Sequence, residues 1–314
     1  MSNDSASRTV LITGCSSGIG KATALHLAGH GRRVYATARR LDGLEELAKA
    51  GCLLLELDVT DEGSMQRAIA EIERTDGAVG VLVNNAGYSQ SGAIESVPMD
   101  RVERQFATNV FGVVRMCQLV LPGMRRQHWG KIVNIGSMGG KLTFPGGGFY
   151  HATKYALEAI SDALRFEVKG FGIDVILIEP GLIRTRFGDT AAASIDAAAP
   201  VDAAAPVDAA ASVDAAAPVD ADSVDAAAPS EDPYATFNAA TKKATTEAYE
   251  AGPLAKMGGA PEDVARTIER AISSSHPRAR YTVTPSADFM IGLRRTLPDA
   301  AWDAFMASQF PRPH

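Results

Sequence analysis

The stretch that decides the fold is TVLITGCSSGIG, residues Thr9–Gly20, near the start of a chain of 314 residues. Its first five residues, Thr9–Thr13, are apolar or β-branched throughout, which is typical of a strand buried on both faces. Three glycines follow, at Gly14, Gly18 and Gly20, and the residues after them have helical spacing. A strand, a glycine-rich turn and a helix in this order are typical of the unit that binds the pyrophosphate of a dinucleotide.

The three glycines have different expected roles. Gly14 permits the sharp turn out of the strand, Gly18 lets the backbone approach a pyrophosphate, and Gly20 lets the helix and the strand pack closely. The helix that begins here also offers unpaired N–H groups and the positive end of its dipole to phosphate oxygens. A glycine-rich turn that binds no ligand is the alternative interpretation.

Six more short apolar runs alternate with segments of helical spacing, which predicts parallel strands covered by helices on both faces. The predicted strands are Arg33–Ala38, Leu53–Val59, Val79–Ala86, Gly130–Ser137, Ile173–Gly181 and Arg280–Pro285. The predicted helices include Ser64–Arg74, Met99–Gln127, Tyr150–Gly170 and Pro261–Ile272. We therefore predict an α/β fold: a doubly wound (Rossmann), mostly parallel seven-stranded sheet in a single catalytic domain of residues 1–314.

Composition and charge exclude several classes of function. The chain has 46% hydrophobic and 22% charged residues, as soluble globular proteins do. Its net charge is -6, but residues 195–233 contain eight Asp and one Glu and neither Lys nor Arg, so the rest of the chain carries about +3. Neither part indicates nucleic-acid binding, and no apolar run approaches the ~18 residues of a membrane span. A polar N-terminus that leads into a strand predicts no signal peptide and a cytoplasmic protein.

No metal site or disulfide framework is predicted from the sequence. The three cysteines form no CxxC pair; they are Cys15, Cys52 and Cys117. The histidines show no ligand spacing with carboxylates or cysteines and are predicted to be surface or loop residues; those considered are His26, His30, His128 and His151. Because His151 is next to Tyr150, it is also a candidate for lining a cleft.

The end of the second predicted strand distinguishes between coenzymes. A site for NAD has a carboxylate there, which binds the adenosine ribose hydroxyls. This chain reads ATARR at Ala36–Arg40, without an acidic residue and with two guanidinium groups. A carboxylate would repel a 2′-phosphate, whereas an arginine binds one through two hydrogen bonds. We therefore predict NADP as cofactor, with NADPH preferred over NADH and Arg39 as the contact; the alternative is that Arg39 and Arg40 merely lie at an exposed strand end.

Three motifs together resemble the short-chain dehydrogenase/reductase family. They are TGCSSGIG at Thr13–Gly20, NNAG at Asn84–Gly87 and YHATK at Tyr150–Lys154. Order and spacing make the match specific, since Asn109 and Ser137 precede Tyr150 in the family's order and Ser137 stands thirteen residues before Tyr150. EPG at Glu179–Gly181, followed by Thr185, matches the family's segment beside the nicotinamide.

The resemblance is close from about Thr9 to Arg186 and looser from Pro261 onward. Within the family, VLITGCSSGIG, VYATAR and the FATNVFG stretch at Phe106–Gly112 are most similar to 17-beta-hydroxysteroid and retinol dehydrogenase-like members. The resemblance implies an oxidoreductase that transfers a hydride between NADP(H) and a secondary alcohol or ketone of lipophilic character.

The chemistry of three residues fits this implied reaction. Hydride transfer to or from a carbinol carbon needs a group that supplies or removes the hydroxyl proton. Tyr150 has an ordinary pKa near ~10, and Lys154 lies one helical turn further on the same face, so its ammonium is expected to lower that pKa. Ser137, at the end of a central strand, can donate a hydrogen bond to the substrate oxygen as charge develops there.

The resemblance implies further roles. Lys154 also holds the nicotinamide ribose, Asn109 anchors a water that relays protons, Asp58 contacts the adenine amine, Asn85 stabilises the central strand beside the coenzyme, and Thr185 holds the carboxamide. The predicted catalytic residues are thus Ser137, Tyr150, Lys154 and Asn109. The predicted coenzyme-binding residues are Gly14, Ser16, Ser17, Gly18, Ile19, Gly20, Arg39, Asp58, Val59, Asn85, Ala86, Gly87, Tyr150, Lys154, Pro180, Gly181 and Thr185.

The substrate is expected at the carboxyl ends of the strands. Residues Gly87–Gly92, Met138–Phe149 and the stretch after Gly181 are expected to contact it, and five apolar side chains make this surface suit a lipophilic substrate: Met138, Leu142, Phe144, Phe149 and Phe187. The apolar C-terminal stripe with Trp302, Phe305 and Phe310 is interpreted as packing on its own domain, with membrane contact as the alternative.

A low-complexity segment interrupts the α/β order after the sixth predicted strand. Residues 195–229 repeat the pattern Val-Asp-Ala-Ala-Ala-Pro. Pro interrupts a helix, and Val beside Asp offers little to bury, so the segment cannot offset the entropy of ordering it. We predict a mobile, disordered insertion in the substrate lid, with residues 234–314 forming the lid remainder, the C-terminal helices and the last strand. A partner-binding or gating arm is the alternative.

Two other functions fit the sequence less well. A non-catalytic NADP(H)-binding sensor would be expected to lack Ser137, Tyr150 or Lys154, all of which are present. A sugar-nucleotide epimerase or dehydratase shares the Tyr and Lys but has a GxxGxxG loop and a larger C-terminal substrate domain, neither of which is found in this sequence. By resemblance, the helices Met99–Gln127 and Tyr150–Gly170 form the interface of a homodimer or homotetramer.

Overall fold

Seven parallel strands form one sheet in the order β3-β2-β1-β4-β5-β6-β7. The computed structural model describes residues 6–196, 233–250, 253–310 and residue 312. The strands are β1 Val10–Ile12, β2 Val34–Ala38, β3 Leu53–Glu56, β4 Val81–Asn84, β5 Gly130–Ile135, β6 Ile173–Pro180 and β7 Arg280–Val283. Each lies within a stretch predicted as a strand, so the prediction of a doubly wound, seven-stranded parallel sheet is confirmed.

The helices cover both faces of this sheet. They are α1 Gly18–Gly29, α2 Glu45–Lys49, α3 Glu62–Asp76, α4 Met99–Phe106, α5 Gly112–Arg126, α6 Gly148–Val168, α7 Phe187–Asp196, α8 Ala235–Glu250, α9 Pro253–Lys256, α10 Pro261–Ser273, α11 Pro285–Thr296 and α12 Asp299–Gln309. The four predicted helices correspond to α3, to α4 with α5, to α6 and to α10.

Two apolar cores lie on opposite faces of the sheet because side chains alternate along each strand. Ile12 packs with α1, α2 and α10 on one face, and its neighbour Leu11 packs with α3, α5 and α6 on the other. Both side chains are completely buried. Since β1 pairs with both β2 and β4, the strand order reverses at β1, and a ligand is expected outside the carboxyl ends of the strands at this point.

The structure differs from the prediction at two elements. The predicted helix Met99–Gln127 is divided by a π-helical turn at Ala107–Phe111, which brings Asn109 into the interior. Such turns are rare and often occur at functional sites. Strand β3 was expected to be buried on both faces, but Leu53 and Glu56 are exposed because β3 is the edge strand.

The predicted insertion at residues 195–229 lies almost entirely outside the described residues. Its first two residues do not belong to a loop, because Ile195 and Asp196 are the end of helix α7 and the side chain of Ile195 is buried.

The C-terminal stripe packs on its own domain, as expected: Trp302, Phe305 and Phe310 join a third apolar cluster with α11.

One helix in the described part of the chain is long and apolar enough to cross a membrane. It runs from Met99 to Arg126, has a mean hydropathy of 1.2 over its most apolar window, and is 44% buried there. The α5 portion of it packs on strands β4 and β5 through buried residues such as Met116 and Val120. A core helix satisfies the same criteria of length and composition, so this helix gives no firm indication of a membrane span.

Candidate active site

The loop between β1 and α1 is shaped by glycine. Gly14 and Gly18 have φ angles of 73° and 57°, which L side chains rarely adopt. A Cβ at Gly14 would lie 2.9 Å from Cα of Ala86, and a Cβ at Gly20 would overlap the carbonyl oxygen of Gly14 and the side-chain amide of Asn85. The glycines at these positions are therefore required by close backbone approach, as predicted.

The N-terminus of α1 has the properties of an anion site. Among the described residues, no side chain caps this helix, and its first turn contains no acidic residue. Ser17 precedes it in an extended conformation, and the first N–H groups of a helix have no acceptor within the helix itself. Thr185 lies opposite, with its Cγ2 3.5 Å from the position of a Cβ at Gly18. This cradle fits the pyrophosphate of a dinucleotide.

Asn85 joins the end of β4 to the glycine-rich loop. Its side-chain amide donates to the carbonyl oxygens of Thr13 and Gly14, at 2.8 and 2.9 Å. The hydroxyl of Thr13 in turn accepts hydrogen bonds from the backbone N–H groups of Asn85 and Ala86, both at 3.0 Å. Asn85 therefore stabilises the central strand where the coenzyme is expected, in line with the prediction.

The predicted adenosine-binding residues lie at the carboxyl ends of β2 and β3. Arg39 and Arg40 are exposed directly after β2. The carboxylate of Asp58 accepts hydrogen bonds from the backbone and the hydroxyl of Thr60, at 2.8 and 2.7 Å, through the same oxygen. Val59 is buried against Gly112, where its carbonyl oxygen would lie 2.6 Å from an added Cβ.

The segment after β6 approaches helix α11 closely. The N–H of Gly181 donates to the carbonyl oxygen of Val283 at 3.1 Å, and a Cβ at Gly181 would overlap the hydroxyls of Thr284 and Ser286. This contact fixes the turn that carries Pro180 and Gly181. Thr185, four residues further on, accepts a hydrogen bond from the backbone N–H of Phe187 at 3.2 Å.

Ser137, Tyr150 and Lys154 come together at the carboxyl end of β5. The hydroxyl of Ser137 accepts from the N–H of Gly139 at 3.0 Å, in the 3-10 turn Met138–Gly140, and is also hydrogen-bonded to Tyr150. The ammonium of Lys154 is buried, lies 5.7 Å from the ring centroid of Tyr150, and donates to the carbonyl oxygen of Ile135 at 2.7 Å. The predicted spacing therefore places Tyr150 and Lys154 on one face of α6, while Ser137 comes from the turn after β5.

The pKa of Tyr150 shifts in the direction opposite to the prediction. Burial raises this pKa to about 12, and the hydrogen bond with Ser137 opposes the rise. Lys154 was expected to lower it, but burial also lowers the pKa of Lys154, to about 8, because the same desolvation disfavours the ammonium. The predicted direction follows from the charge of Lys154 alone, whereas in the fold the desolvation of Tyr150 and Lys154 has the larger effect.

Asn109 has side-chain partners that the sequence does not reveal. Its Oδ1 accepts from the N–H of Tyr88 at 3.1 Å, and its Nδ2 donates to the carbonyl oxygen of Tyr88 at 2.8 Å and to the hydroxyl of Thr153 at 3.2 Å. These bonds use both amide hydrogens. The side chain thus joins the loop after β4 to helix α6, beside Gly87, and its predicted role of anchoring a water in a proton relay stays a prediction.

The side chains around Tyr150 are aromatic. The ring of Phe187 lies 5.3 Å from that of Tyr150, and His151 lies 5.6 Å from it and 5.8 Å from Phe144. Tyr249 from α8 packs on Gly188 and interacts electrostatically with Tyr150. Tyr249 was not among the predicted site residues, because helix α8 follows the low-complexity segment and carries no motif.

Two expectations for the substrate surface and the histidines are wrong. Met138 and Leu142 are buried in the cluster with Trp302, so they do not line an open cleft. His151 is 6% exposed and bonded to the carbonyl oxygen of Gly139 at 3.0 Å, and it is therefore a core residue. Phe149 is partly buried against Val97 and Val102, and its contact with substrate stays a prediction.

The segment after Gly181 folds over the loop after β4. The hydroxyl of Ser194 on α7 accepts from the N–H of Ser91 at 2.9 Å, and the side chain of Gln90 donates to the carbonyl oxygen of Ser194 at 3.2 Å. On the far side of the low-complexity segment, Tyr234 donates to Glu95 at 2.6 Å. The predicted contact region at Gly87–Gly92 is thus covered by the segments that flank the repeat.

Two side-chain clusters were missed in the sequence. His26, His30 and Glu269 have ligand atoms within 4.8 Å of one another and could hold a metal ion. The i, i+4 spacing of the histidines was the available signal, while Glu269 comes from distant α10 and is hydrogen-bonded to His26 at 2.6 Å. The second cluster lies behind the active site, where Glu158 and Glu179 are buried. Glu158 continues the i, i+4 spacing of Tyr150 and Lys154.

Comparisons with known proteins agree with this geometry. A family model described as short chain dehydrogenase matches residues 8–195. A 3-ketodihydrosphingosine reductase of Bacteroides thetaiotaomicron is 45% identical over 180 residues, which are 57% of this chain and 65% of that protein. The uncharacterized oxidoreductase YbbO of Escherichia coli K12 is 33% identical over 300 residues, 95% of this chain and 94% of that protein.

A solved structure extends the likeness to nearly the whole chain. A short-chain dehydrogenase from Streptomyces avermitilis is 30% identical, covers 96% of this chain and 97% of its own, and superimposes with a TM-score of 0.71. The matched residues include the glycine-rich loop, Asn85, Ser137, Tyr150 and Lys154. The chain therefore belongs to the short-chain dehydrogenase/reductase family and is an NAD(P)-dependent oxidoreductase.

Proposed function

We propose that this protein interconverts a lipophilic ketone and the corresponding secondary alcohol, with NADP(H) as coenzyme and Tyr150 as the proton-transfer group. The observation that carries the proposal is the grouping of Ser137, Tyr150 and Lys154 at the carboxyl end of β5, with aromatic rings around Tyr150. A non-catalytic sensor would not need this grouping.

The residues have distinct roles in the proposed reaction. When bound, the coenzyme supplies or accepts the hydride. Tyr150 is a neutral phenol at neutral pH, because burial raises its pKa to about 12, and it therefore suits the role of proton donor to a carbonyl oxygen. Ser137 donates a hydrogen bond to the same oxygen as negative charge develops on it.

Lys154 and Asn109 support Tyr150 in different ways. The ammonium of Lys154 faces the ring of Tyr150 at 5.7 Å, where its positive charge stabilises the phenolate left after proton donation. With a pKa of about 8, Lys154 can also return a proton. Asn109 holds Thr153, the residue before Lys154, at 3.2 Å. We propose that Asn109 orients helix α6 and that the ribose of the coenzyme binds beside Lys154.

The preference for NADP(H) follows from charge at the end of β2. Arg39 and Arg40 are exposed there, and the described residues 36–40 contain no carboxylate. Their guanidinium groups suit a 2′-phosphate and leave the ribose hydroxyls of NAD without an acidic partner. Asp58 is proposed to contact the adenine amine through the carboxylate oxygen that does not bind Thr60.

The lipophilic substrate class rests on the side chains around Tyr150. Phe144, Phe187 and Tyr249 offer apolar surface, and the charges of Arg184 and Arg186 point outward into solvent. The Bacteroides relative is named as a reductase of 3-ketodihydrosphingosine. A ketone on a hydrophobic chain or ring would fit the same surroundings.

A homodimer or homotetramer is the proposed assembly. Three aromatic side chains on the π-helical turn and α6 are exposed although apolar: Phe111 is 64% exposed, Tyr155 44% and Phe166 86%. Burying such a surface against a second copy is favourable at about 25 cal/mol per Å². Sedimentation of Phe166→Asp compared with the natural protein tests this assembly, and an unchanged mass would contradict it.

A ketone panel tests the proposed function. Purified protein is mixed with NADPH and ketones of graded apolar size, and consumption of NADPH is followed by its nicotinamide absorbance. We expect turnover to increase from a small polar hydroxyketone to ketones with long alkyl or fused-ring substituents. A preference for the small polar ketone would contradict the lipophilic class, and no turnover with any ketone or secondary alcohol would contradict the reaction.

A further inference from the structure

Two buried carboxyl groups contact the same two cations behind the active site. Glu158 comes from α6 and Glu179 from β6, and their side chains are only 8% and 4% exposed. An isolated carboxylate so far from water is strongly unfavourable, and two adjacent ones more so. Their environment must therefore compensate the charge, remove it, or both.

Two cations compensate part of this charge. Glu158 accepts hydrogen bonds from the ammonium of Lys141 at 2.5 Å and from the guanidinium of Arg280 at 3.0 Å. Glu179 lies further from the same cations, 3.8 Å from Lys141 and 3.4 Å from Arg280. Arg280 also binds Asp162, at 2.6 Å. Glu158 therefore has the better-compensated charge.

The other charged groups nearby do not change the conclusion that the charge of Glu158 is better compensated than that of Glu179. Asp162, one turn beyond Glu158 on α6, is itself paired with Arg165 at 2.9 Å in addition to Arg280. Lys154, one turn before Glu158, donates to the backbone of Ile135 and lies on the side of Tyr150. The charged side chains around the pair are therefore Lys141, Arg280 and Asp162. Lys154 lies one helical turn away, on the side of Tyr150.

One oxygen of each carboxyl group has no hydrogen-bond donor in the described part of the chain. These are Oε1 of Glu158 and Oε1 of Glu179, and both are inaccessible to water. Buried polar atoms are nearly always hydrogen-bonded. Two ionised carboxylates can only accept, but if one is protonated its O–H can donate to the other. A single proton on one of the two carboxyl groups would turn an acceptor into a donor and so reduce both the negative charge and the number of unpartnered acceptors.

The pair connects the three segments that carry the active site. Lys141 directly follows the turn that holds Ser137, Glu158 is one helical turn from Lys154, and Glu179 precedes Pro180 and Gly181. The packing leaves little freedom, since a Cβ at Gly140 would lie 3.0 Å from both Cγ of Glu158 and the carbonyl oxygen of Lys154. A change of charge in the pair therefore changes the relative positions of these segments.

We propose that Glu158 and Glu179 share one proton, and that this carboxyl pair, bound by Lys141 and Arg280, positions Ser137, the Tyr150–Lys154 face of α6 and the turn at Gly181. Both are positioning residues and neither touches the reacting atoms. The existence of the shared proton does not depend on the proposed function, but its expected effect on turnover does.

The direction of the pKa of Glu179 agrees with a shared proton. Burial, together with Glu158, raises this pKa from 4.5 to about 7. A carboxyl whose pKa is raised by folding binds a proton in the folded state that it releases in the unfolded state. Its contribution to stability is therefore complete below pH 4.5 and is lost as the pH rises towards 7.

Three substitutions separate a shared proton from a plain packing role. Glu179→Gln is close in shape to the protonated carboxyl, and its amide can donate permanently to Glu158. Glu158→Gln removes instead the main anion of Lys141 and Arg280. Glu167→Gln, an exposed glutamate on the same helix, is the control. Melting temperature is measured between about pH 5 and about pH 8 for each.

We expect opposite effects from the two buried substitutions. Relative to the natural protein, Glu179→Gln raises the melting temperature at the alkaline end and flattens its pH dependence. Glu158→Gln lowers it across the range, because Lys141 and Arg280, both only partly exposed, lose their charged partner Glu158 while Asp162 remains bound to Arg280 alone. In infrared difference spectra near neutral pH, a protonated-carboxyl band is present in the natural protein and Glu167→Gln and absent from Glu179→Gln. Retention of this band in Glu179→Gln, or an equal loss of stability in both buried variants, would overturn the shared proton.

Turnover tests the positioning role separately. With a ketone that the natural protein accepts, Glu158→Gln is expected to lower kcat about tenfold or more, since small displacements of reacting groups have effects of this size. The KM for the coenzyme is expected to change less than about twofold. Glu179→Gln should retain kcat at the alkaline end of the pH range better than the natural protein does. Equal pH profiles in all variants would overturn the positioning role, even if the infrared band follows the expectation.

Discussion

The side-chain amide of Asn85 donates to the carbonyl oxygens of Thr13 and Gly14, and this joins the end of β4 to the first residue of the glycine-rich loop. A methyl group at Gly20 would overlap the same amide and the same Gly14 carbonyl. Asn85, Gly14 and Gly20 therefore form one close-packed contact beneath the expected pyrophosphate. The shape of the loop depends on this contact.

Substitution of Gly20 tests the contact. Gly20→Ala is expected to raise the Kd for NADPH at least about tenfold and to destabilise the fold by about 1–3 kcal/mol, because backbone and Asn85 must move apart. The matched control is Gly29→Ala on the same helix, where an added Cβ meets no atom within 4 Å. Equal coenzyme affinity in the two variants, measured by fluorescence titration, would contradict this account of the loop.

Arg39 tests the choice of coenzyme. Arg39→Ala should raise the KM for NADPH by about tenfold or more and leave that for NADH nearly unchanged, since only NADPH carries the 2′-phosphate. Lys49→Ala removes an exposed positive charge from the neighbouring helix α2 and serves as control. If Arg39→Ala weakened both coenzymes equally, the phosphate would not be its partner.

Because His151 is buried, we expect the folded protein to lose stability in mild acid. Burial lowers the pKa of His151 from 6.5 to about 4, so the folded state holds a neutral imidazole where the unfolded state binds a proton. Its contribution to stability is present above pH 6.5 and is lost as the pH falls towards 4, by up to about 3 kcal/mol.

Replacement of His151 provides the measurement. His151→Asn keeps a donor for the carbonyl oxygen of Gly139 and removes the titration, so its stability should fall less steeply between these pH values in urea unfolding. His276→Asn, at an exposed histidine, should keep the natural pH dependence. Parallel curves for all three proteins would show that His151 does not contribute to acid lability.

The low-complexity segment is expected to be dispensable for folding. Deletion of residues 197–229 should leave the melting temperature and the Kd for NADPH unchanged, because the Asp- and Pro-rich repeat has little to bury. A deletion that also removes Ile195 should be less stable, since Ile195 is buried at the end of α7. Loss of coenzyme binding in the shorter deletion would contradict the prediction.

The architecture was predictable because strands buried on both faces leave a simple pattern in the sequence. All seven strands and the glycine-rich loop were found from this pattern. The grouping of Ser137, Tyr150 and Lys154 and the place of Asn85 were expected from the resemblance to the family, and both lie directly after strands or on one helix. These features depend on residues close to one another in the chain.

The features that escaped prediction depend on distant residues or on burial. The partners of Asn109 come from Tyr88 and Thr153, and the cations of Glu158 come from residue 141 and from residue 280. Desolvation reversed the expected direction of the pKa of Tyr150, and burial of His151 against Phe144 could not be inferred from its neighbours in sequence. Charge can be counted in a sequence, but burial requires the fold.

The most direct test of the proposed chemistry is the turnover number of Tyr150→Phe with NADPH and a ketone that the natural protein reduces. The matched control is Tyr155→Phe, which changes a half-exposed tyrosine on the same helix, α6. Tyr150→Phe retains the ring packing on Phe187 and loses only the proton donor. We expect kcat to fall at least about 100-fold for Tyr150→Phe, with the Kd for NADPH nearly unchanged, and to stay natural for Tyr155→Phe. Full turnover by Tyr150→Phe would contradict the assignment of Tyr150 as the proton donor.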